Sequence, residues 1–320
     1  MTESEILVDV VRSGFVEGHH RGSVVALTAG GEIDWSVGAA ESAIYPRSCN
    51  KPMQAVGMLR CGLRLEGELL ALAGSSHSGE PFHLEGVRRI LAAAGLDESA
   101  LRTPPDYPLD DEAREAMLRE GASKSSIAMN CSGKHAAMLA TCVVNGWPIE
   151  SYRSPDHPLQ VAIAETFAHL TGEPVESVGV DGCGAPLLST SLLGLARGFR
   201  ALVLGPVGSP ERRVADAFVA APDFASGSRR DEAALLRAIP GAVGKAGAEA
   251  CYALALPDGR AVALKIEDGG GRARPVVMAA ALRRLGVDQE PGVDGGAVNA
   301  TGSAPLLGGG VRVGELVPAF

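Results

Sequence analysis

At 320 residues with 46% hydrophobic side chains, the chain has the material for one large domain or two modest ones around a sizeable core. Lysine plus arginine total 29 against 38 aspartate plus glutamate, a formal charge of -9 with 4% aromatic residues and no basic block, which argues against a nucleic-acid partner. The acidic start Met1-Thr2-Glu3-Ser4-Glu5 is unlike a basic export signal, and no apolar run approaches the roughly 18 residues that span a bilayer, so a cytoplasmic protein without a membrane segment is expected.

In chain order, residues 24–29, the Gly30-Gly31 pair and residues 32–37 read as strand, tight turn and strand. Arg47-Ser48-Cys49-Asn50 then leads into a helical pattern over 51–61. The apolar run 69–73 reads as a strand that turns through Gly74-Ser75-Ser76-His77-Ser78-Gly79 into a helix over 81–94. Further helical patterns cover 111–120, 134–144, 158–170, 212–220 and 230–238. Gly244-Lys245-Ala246-Gly247 reads as a glycine-rich turn before a second hairpin, strands 251–256 and 261–266 around Pro257-Asp258-Gly259-Arg260, and a last helix covers 275–285. Strands at both ends and helices between them predict an α+β chain, an antiparallel sheet flanked by helices with a helical subdomain, folded as a single domain over 1–320. No GxGxxG lies between a strand and a helix, and Gly241-Ala242-Val243-Gly244-Lys245 is too short for a phosphate loop.

Four clusters carry possible chemistry. Ser48 and Lys51 stand three apart at a helix start, where the amine can reach the hydroxyl; a lysine freed of its charge by burial can activate a serine, although the same spacing also arises at solvated helix starts. Ser75-Ser76-His77-Ser78 puts hydroxyls and an imidazole in a turn, either at a pocket rim or as a helix cap, and it lacks the glycine of a GxSxG elbow. Asn130-Cys131-Ser132-Gly133-Lys134-His135 opens a helix, and Asp181-Gly182-Cys183-Gly184 holds a second thiol between glycines. Two thiolates and one neutral amine could bind zinc, without an HExxH or paired CxxC to strengthen the case. Lys245 is followed by Gly247 as in the Lys-Thr-Gly element of penicillin-interacting enzymes, or lies in an exposed turn. The other cysteines, Cys49, Cys61, Cys142 and Cys251, read as small buried hydrophobes rather than a disulfide framework.

Seven islands in order carry a resemblance: Arg47-Ser48-x-x-Lys51-Pro52, Ser76-His77-Ser78, residues 130–135, Pro155-Asp156-His157-Pro158, Asp181-Gly182-Cys183, Gly244-Lys245-x-Gly247-Ala248 and Lys265-Ile266-Glu267-Asp268-Gly269. Together they span roughly residues 14–285, and the chain resembles the L-asparaginase II family, the rhizobial-type enzymes, whose fold is similar to that of serine β-lactamases and glutaminases. The resemblance implies two Ser-Lys pairs, Ser48 with Lys51 and Ser76 with Lys245, and a zinc ion on Cys131, Lys134 and Cys183. It also implies a homodimer that hydrolyses L-asparagine; charge complementarity alone puts Arg47 on the substrate carboxylate and Asp181 on its ammonium, and His77 and His135 are further candidates to line the site. Cys49 and Gly184 depart from the family pattern and touch fine substrate preference more than reaction type. Two rivals remain open at this point, a β-lactamase-like or penicillin-binding acyl-enzyme and a non-catalytic zinc or amino-acid sensor. The absence of Ser-Asp-Asn counts against the first.

Overall fold

The computed structural model describes residues 4–320, so residues 1–3 of the acidic start lie outside the described residues. In chain order the strands are β1 (Glu5–Arg12), β2 (Phe15–Leu27), β3 (Ile33–Val37), β4 (Val178–Val180), β5 (Pro186–Leu188), β6 (Val243–Ala246), β7 (Cys251–Ala255), β8 (Ala261–Ile266), β9 (Pro305–Gly308) and β10 (Val311–Pro318). The helices are α1 (Lys51–Arg60), α2 (Gly67–Ala73), α3 (Pro81–Ala93), α4 (Asp111–Arg119), α5 (Ser132–Asn145), α6 (Pro158–Thr171), α7 (Leu192–Leu204), α8 (Pro210–Ala220), α9 (Pro222–Ala225), α10 (Asp231–Ala238), α11 (Ala273–Arg284) and α12 (Gly295–Thr301). They gather into two compact units. One comprises the chain up to residue 49 with 190–204 and 234–320, the other 50–189 with 205–233.

The first unit is an antiparallel sheet in the order β6-β7-β8-β2-β1-β10-β9, with β3 also on β2. The first and last strands pair, Val8 opposite Pro318 and Arg12 opposite Gly314, so the sheet draws on both chain ends as the sequence predicts. Strand β2 is long enough to pair twice. Its first half lies on β1, and its second half lies on β8 with Val25 opposite Ala263. Every residue of β7 is buried, as are residues 23–27 of β2, and since successive side chains point to opposite faces, both faces must be covered. Helix α7 packs on β2, β7 and β8, and α11 packs on β1, β7, β8 and β10.

The second unit is mainly helical, with β4 and β5 as a two-stranded ribbon. Residues 51–59 of α1 and 132–142 of α5 are buried all round, which marks these helices as the centre of the unit rather than its rim. Close approach requires glycine at two points. A Cβ on Gly57 would stand 3.2 Å from the Ile163 Cα of α6, and one on Gly133 would stand 2.8 Å from the Leu72 carbonyl of α2. The buried loop from α2 to α3 satisfies its backbone tertiarily: His77 N–H donates to Asn130 O (3.0 Å) and Ser78 N–H to Ser226 O (2.9 Å).

Several sequence expectations need correction. Residues 69–73 form the end of α2 rather than a strand, because a short apolar run does not distinguish a buried strand from a buried helix. Lys245 lies inside strand β6 rather than in a turn, preceded by Gly244, which packs against Ala253 and Leu254 of β7. Helix α7 and strands β1, β9 and β10 have no counterpart among the predicted elements. Among the described residues no helix is long and apolar enough to cross a membrane.

Candidate active site

In the sheet unit, Arg47 opens a 3-10 turn, Arg47–Asn50, and the chain continues directly into α1 at Lys51. Arg47 adopts φ 51°, a left-handed conformation that side chains other than glycine rarely take, and Ser48 follows it half-buried. Strand β6 is held against this turn: Cys49 Sγ lies 3.0 Å from Lys245 O, and a Cβ on Gly247 would meet Pro46 O at 2.6 Å and Ser48 N at 3.2 Å. The glycine of the Gly-Lys-x-Gly island is therefore required by a close backbone approach. Lys245 is fully buried and its Nζ donates to Ala246 O at 2.6 Å.

In the helical unit, Lys51 at the first turn of α1 donates from Nζ to Ser76 Oγ at 2.8 Å and approaches Cys131 Sγ at 3.0 Å. The sequence predicts Ser48 as its hydroxyl partner and Lys245 as the partner of Ser76. The loop from α2 to α3 delivers Ser76 to Lys51, and Ser76 is only 4% exposed.

His77, expected at the substrate, is buried with both ring nitrogens engaged. Gly79 N–H donates to Nδ1 at 3.1 Å, which places the proton on Nε2, and Nε2 then donates to Ser132 Oγ at 2.8 Å. Burial, helped by the charges of His83, Lys51 and Arg230, holds His77 well below the ordinary imidazole range. A neutral ring with both positions occupied braces the Ser76 loop from below. Arg230, which the sequence does not single out, adds a second brace. Its Nη1 donates to Ser76 O at 3.3 Å while Nη2 lies 2.5 Å from the buried Glu232 carboxylate.

Beside Lys51 the donor atoms of Cys131, Asp181 and Cys183 all lie within 4.8 Å of one another. Lys134 Nζ donates to Cys183 Sγ at 3.2 Å, and Asp181 Oδ2 lies 3.4 Å from the same sulfur. The hydrogen bond from Cys131, joined by the charge of Lys134 and opposed by burial, holds Cys183 far below the ordinary thiol range; the same bond and burial raise Cys131 well above it. Both directions favour the thiolate at Cys183 and the thiol at Cys131, whose Sγ also lies 3.2 Å from Asn130 Oδ1. For Lys134 burial is the largest single influence and pulls downward, but Cys183, Cys131 and Asp181 together outweigh it and keep the amine protonated. His135 presents Nδ1 to Tyr152 Oη at 2.6 Å, its Nε2 is buried without a hydrogen-bond partner beside Cys183, and burial lowers its pKa to about 4.

Two thiols and a carboxylate within 4.8 Å of one another suit a soft-to-borderline divalent cation, which takes thiolate and carboxylate ligands. The expected ligands Cys131, Lys134 and Cys183 are thus brought together, and the Asp181 carboxylate lies among them. Nothing in the spacing of Asp181-Gly182-Cys183 alone reveals this, because both side chains of the island reach the same point only once the island folds against α5.

The family model described as L-asparaginase II matches residues 8–318. No curated protein matches the chain by sequence. Among solved structures the chain is similar to a β-lactamase from Mycobacterium bovis, at 15% identity over 82% of this chain and 94% of that one with a TM-score of 0.46. It is also similar to EstCE1, a hydrolase with promiscuous acyltransferase activity, at 13% identity over 78% and 91% with a TM-score of 0.40. A third similar structure, Mglu in its native form, has 14% identity over 84% and 64% with a TM-score of 0.43.

Proposed function

Because the chain belongs to the L-asparaginase II family and is thereby an amidohydrolase, we propose that it hydrolyses the side-chain amide of L-asparagine to L-aspartate and ammonia through a serine acyl-enzyme. The observation that carries the proposal is the buried Lys51 amine with Ser76 Oγ at 2.8 Å, one helical turn along the chain from Ser48. Ser48 is the nucleophile: it is half-buried and reachable where Ser76 is not, and it follows a strained residue, as functional groups often do.

In this reading Ser48 Oγ attacks the amide carbon while Lys51, as the free amine, takes the hydroxyl proton. The proton passes to the departing nitrogen, the C–N bond breaks, and ammonia leaves. Water then adds to the aspartyl ester with its proton taken by the same amine, which returns that proton to Ser48 Oγ as the ester bond to Ser48 breaks. Ser76, hydrogen-bonded to Lys51, relays protons, and Lys245 on β6 supports the Ser48 turn with its positive charge. Arg47 binds the substrate carboxylate by charge complementarity. Cys131 and Cys183, with Asp181 or, once it has lost its proton, Lys134 as further donor, would hold a zinc ion, which when bound supplies a fixed positive charge able to polarise a nearby oxygen. His77 and His135 act on the geometry of the Ser76 loop and of Cys183.

Ammonia release from L-asparagine by the purified protein, with Ser48→Ala and Ser76→Ala alongside, tests the assignment. Ser48→Ala is expected to abolish turnover and any acyl-enzyme seen by mass spectrometry, and Ser76→Ala to slow turnover while still acylating. Near-normal activity of Ser48→Ala removes it as the nucleophile.

A further inference from the structure

Among the described residues, the non-glycine positions with positive φ are Ser13, Arg47, Glu249 and Ala250, and three of these four meet at one place. Each such residue costs of the order of 1–3 kcal/mol and persists only where its surroundings over-determine it. Glu249 sits in the turn from β6 to β7, and its Oε1 lies 3.7 Å from Arg47 Nη1, the side chain immediately before Ser48. That separation places opposite charges side by side without the short contact of a closed hydrogen bond. The Glu249 side chain is 60% exposed and that of Arg47 is 23% exposed, so a solute can reach both.

The rest of the turn is built to hold this carboxylate. Gly247 N–H donates to Cys251 O at 2.8 Å and Lys265 Nζ donates to Glu249 O at 2.6 Å, fixing the strained backbone from both sides. A Cβ on Gly269 would stand 2.6 Å from Glu249 Oε2, so the carboxylate occupies the space that a side chain there would need. Lys265 and Gly269 are the two ends of the Lys-Ile-Glu-Asp-Gly island, which the catalytic steps leave without a role. Here both ends act on Glu249. A free α-amino acid carries a carboxylate and an ammonium on one carbon, and recognising both needs a cation and an anion a few ångströms apart. Asp181, the anion the sequence offered, lies against the thiol cluster, 3.4 Å from Cys183 Sγ, whereas Glu249 lies against Arg47.

Building on the amidohydrolase reading above, we propose that Glu249 is the specificity-determining residue for the α-ammonium of the substrate and that, paired with Arg47, it restricts the site to free α-amino acid zwitterions. The test compares ammonia release from L-asparagine and from succinamate, which has the same amide and carboxylate but hydrogen in place of the ammonium. The wild type should prefer L-asparagine. Glu249→Gln should reduce that preference, measured as the ratio of kcat/KM values, by about 10- to 100-fold and chiefly through KM, as expected for a lost charge-assisted contact. Glu249→Asp, which keeps the charge and withdraws it by one methylene, should fall between, and it serves if the glutamine variant does not fold. An unchanged ratio, or equal loss on both substrates, overturns the assignment and leaves Glu249 as a structural strap for Arg47. Thermal shifts with L-aspartate and succinate add a binding reading that does not depend on turnover. A wild type that releases no ammonia but is stabilised by L-aspartate over succinate, with the discrimination lost in Glu249→Gln, sinks the asparaginase reading and keeps this one. A wild type that does not discriminate overturns this one.

Discussion

Helices α1 and α5 are built alike and used differently. Both are buried all round and both place a lysine in the first turn, against the sense of the helix dipole. Lys51 is given a serine hydroxyl and the Cys131 thiol, whereas Lys134 is given the Cys183 thiolate with Asp181 behind it. The first amine is surrounded by groups that can trade protons with it. The second is one half of an ion pair. Identical local placement therefore yields a reactive group in one helix and a structural counter-ion in the other, and the choice lies in the loops that meet each helix start.

The contrast makes opposite predictions for one substitution at the two positions. Lys51→Met should cost about 10² to 10⁴ in turnover, the worth of a positioned base, with a smaller loss of stability because the groups it leaves are neutral. Lys134→Met should cost the fold about 3 kcal/mol or more, since it strands a buried thiolate. Ammonia release and urea denaturation on the two variants decide it. If Lys134→Met proves as stable as the wild type, the thiolate assignment of Cys183 is wrong.

What the sequence made legible follows the same division between local and tertiary information. The helix predicted over 81–94 appears as Pro81–Ala93 and the strand over 261–266 as Ala261–Ile266, because capping, periodicity and turn residues are written locally. The grouping of Cys131, Lys134 and Cys183 was offered by their residue types and sharpened by the resemblance, whereas for Lys51 the contact with Ser76 carried no local signal. Ser48 is its neighbour in sequence, yet the hydroxyl in hydrogen-bond contact comes from Ser76, 25 residues on, carried there by a helix that reads as a strand. Arg230 and Glu249 carry no local signal beyond their charge. Their roles come from what is folded against them.

The loop that serves Lys51 also predicts a pH dependence. His83 of α3 stacks on His77 with centroids 5.2 Å apart, and burial, offset in part by Glu80, lowers its pKa from 6.5 to about 4. In the unfolded chain the ring protonates near 6.5 and in the folded chain only near 4, so between these values the unfolded state binds more protons. The stability His83 permits is therefore complete above pH 6.5 and declines as pH falls towards 4, by up to about 3 kcal/mol. Comparing urea unfolding at pH 7 and pH 5 for the wild type and His83→Gln tests this. The variant should begin less stable and show a shallower fall, and an equal fall in both would assign the acid sensitivity elsewhere.

Helix α4 sharpens the comparison from the other side, since it has no buried residue at all. Its start is held by Asp110, whose carboxylate accepts from Ala113 N–H at 2.8 Å as an N-cap and also accepts from Arg229 Nε at 2.9 Å. The cap closes an otherwise unsatisfied helix N–H, so Asp110→Ala should lower stability by about 1 kcal/mol. Arg229 is different. Its side chain is 45% exposed, and water and salt screen its pairs with Asp110 and Glu112. Arg229→Ala should thus leave the unfolding midpoint within error of the wild type while the Asp110 cap persists. Two partners in one contact would then differ in effect because one closes a backbone N–H that nothing else reaches and the other only adds charge at the surface. A midpoint loss for Arg229→Ala as large as that for Asp110→Ala would mean that the ion pair, and not the cap, holds α4 in place.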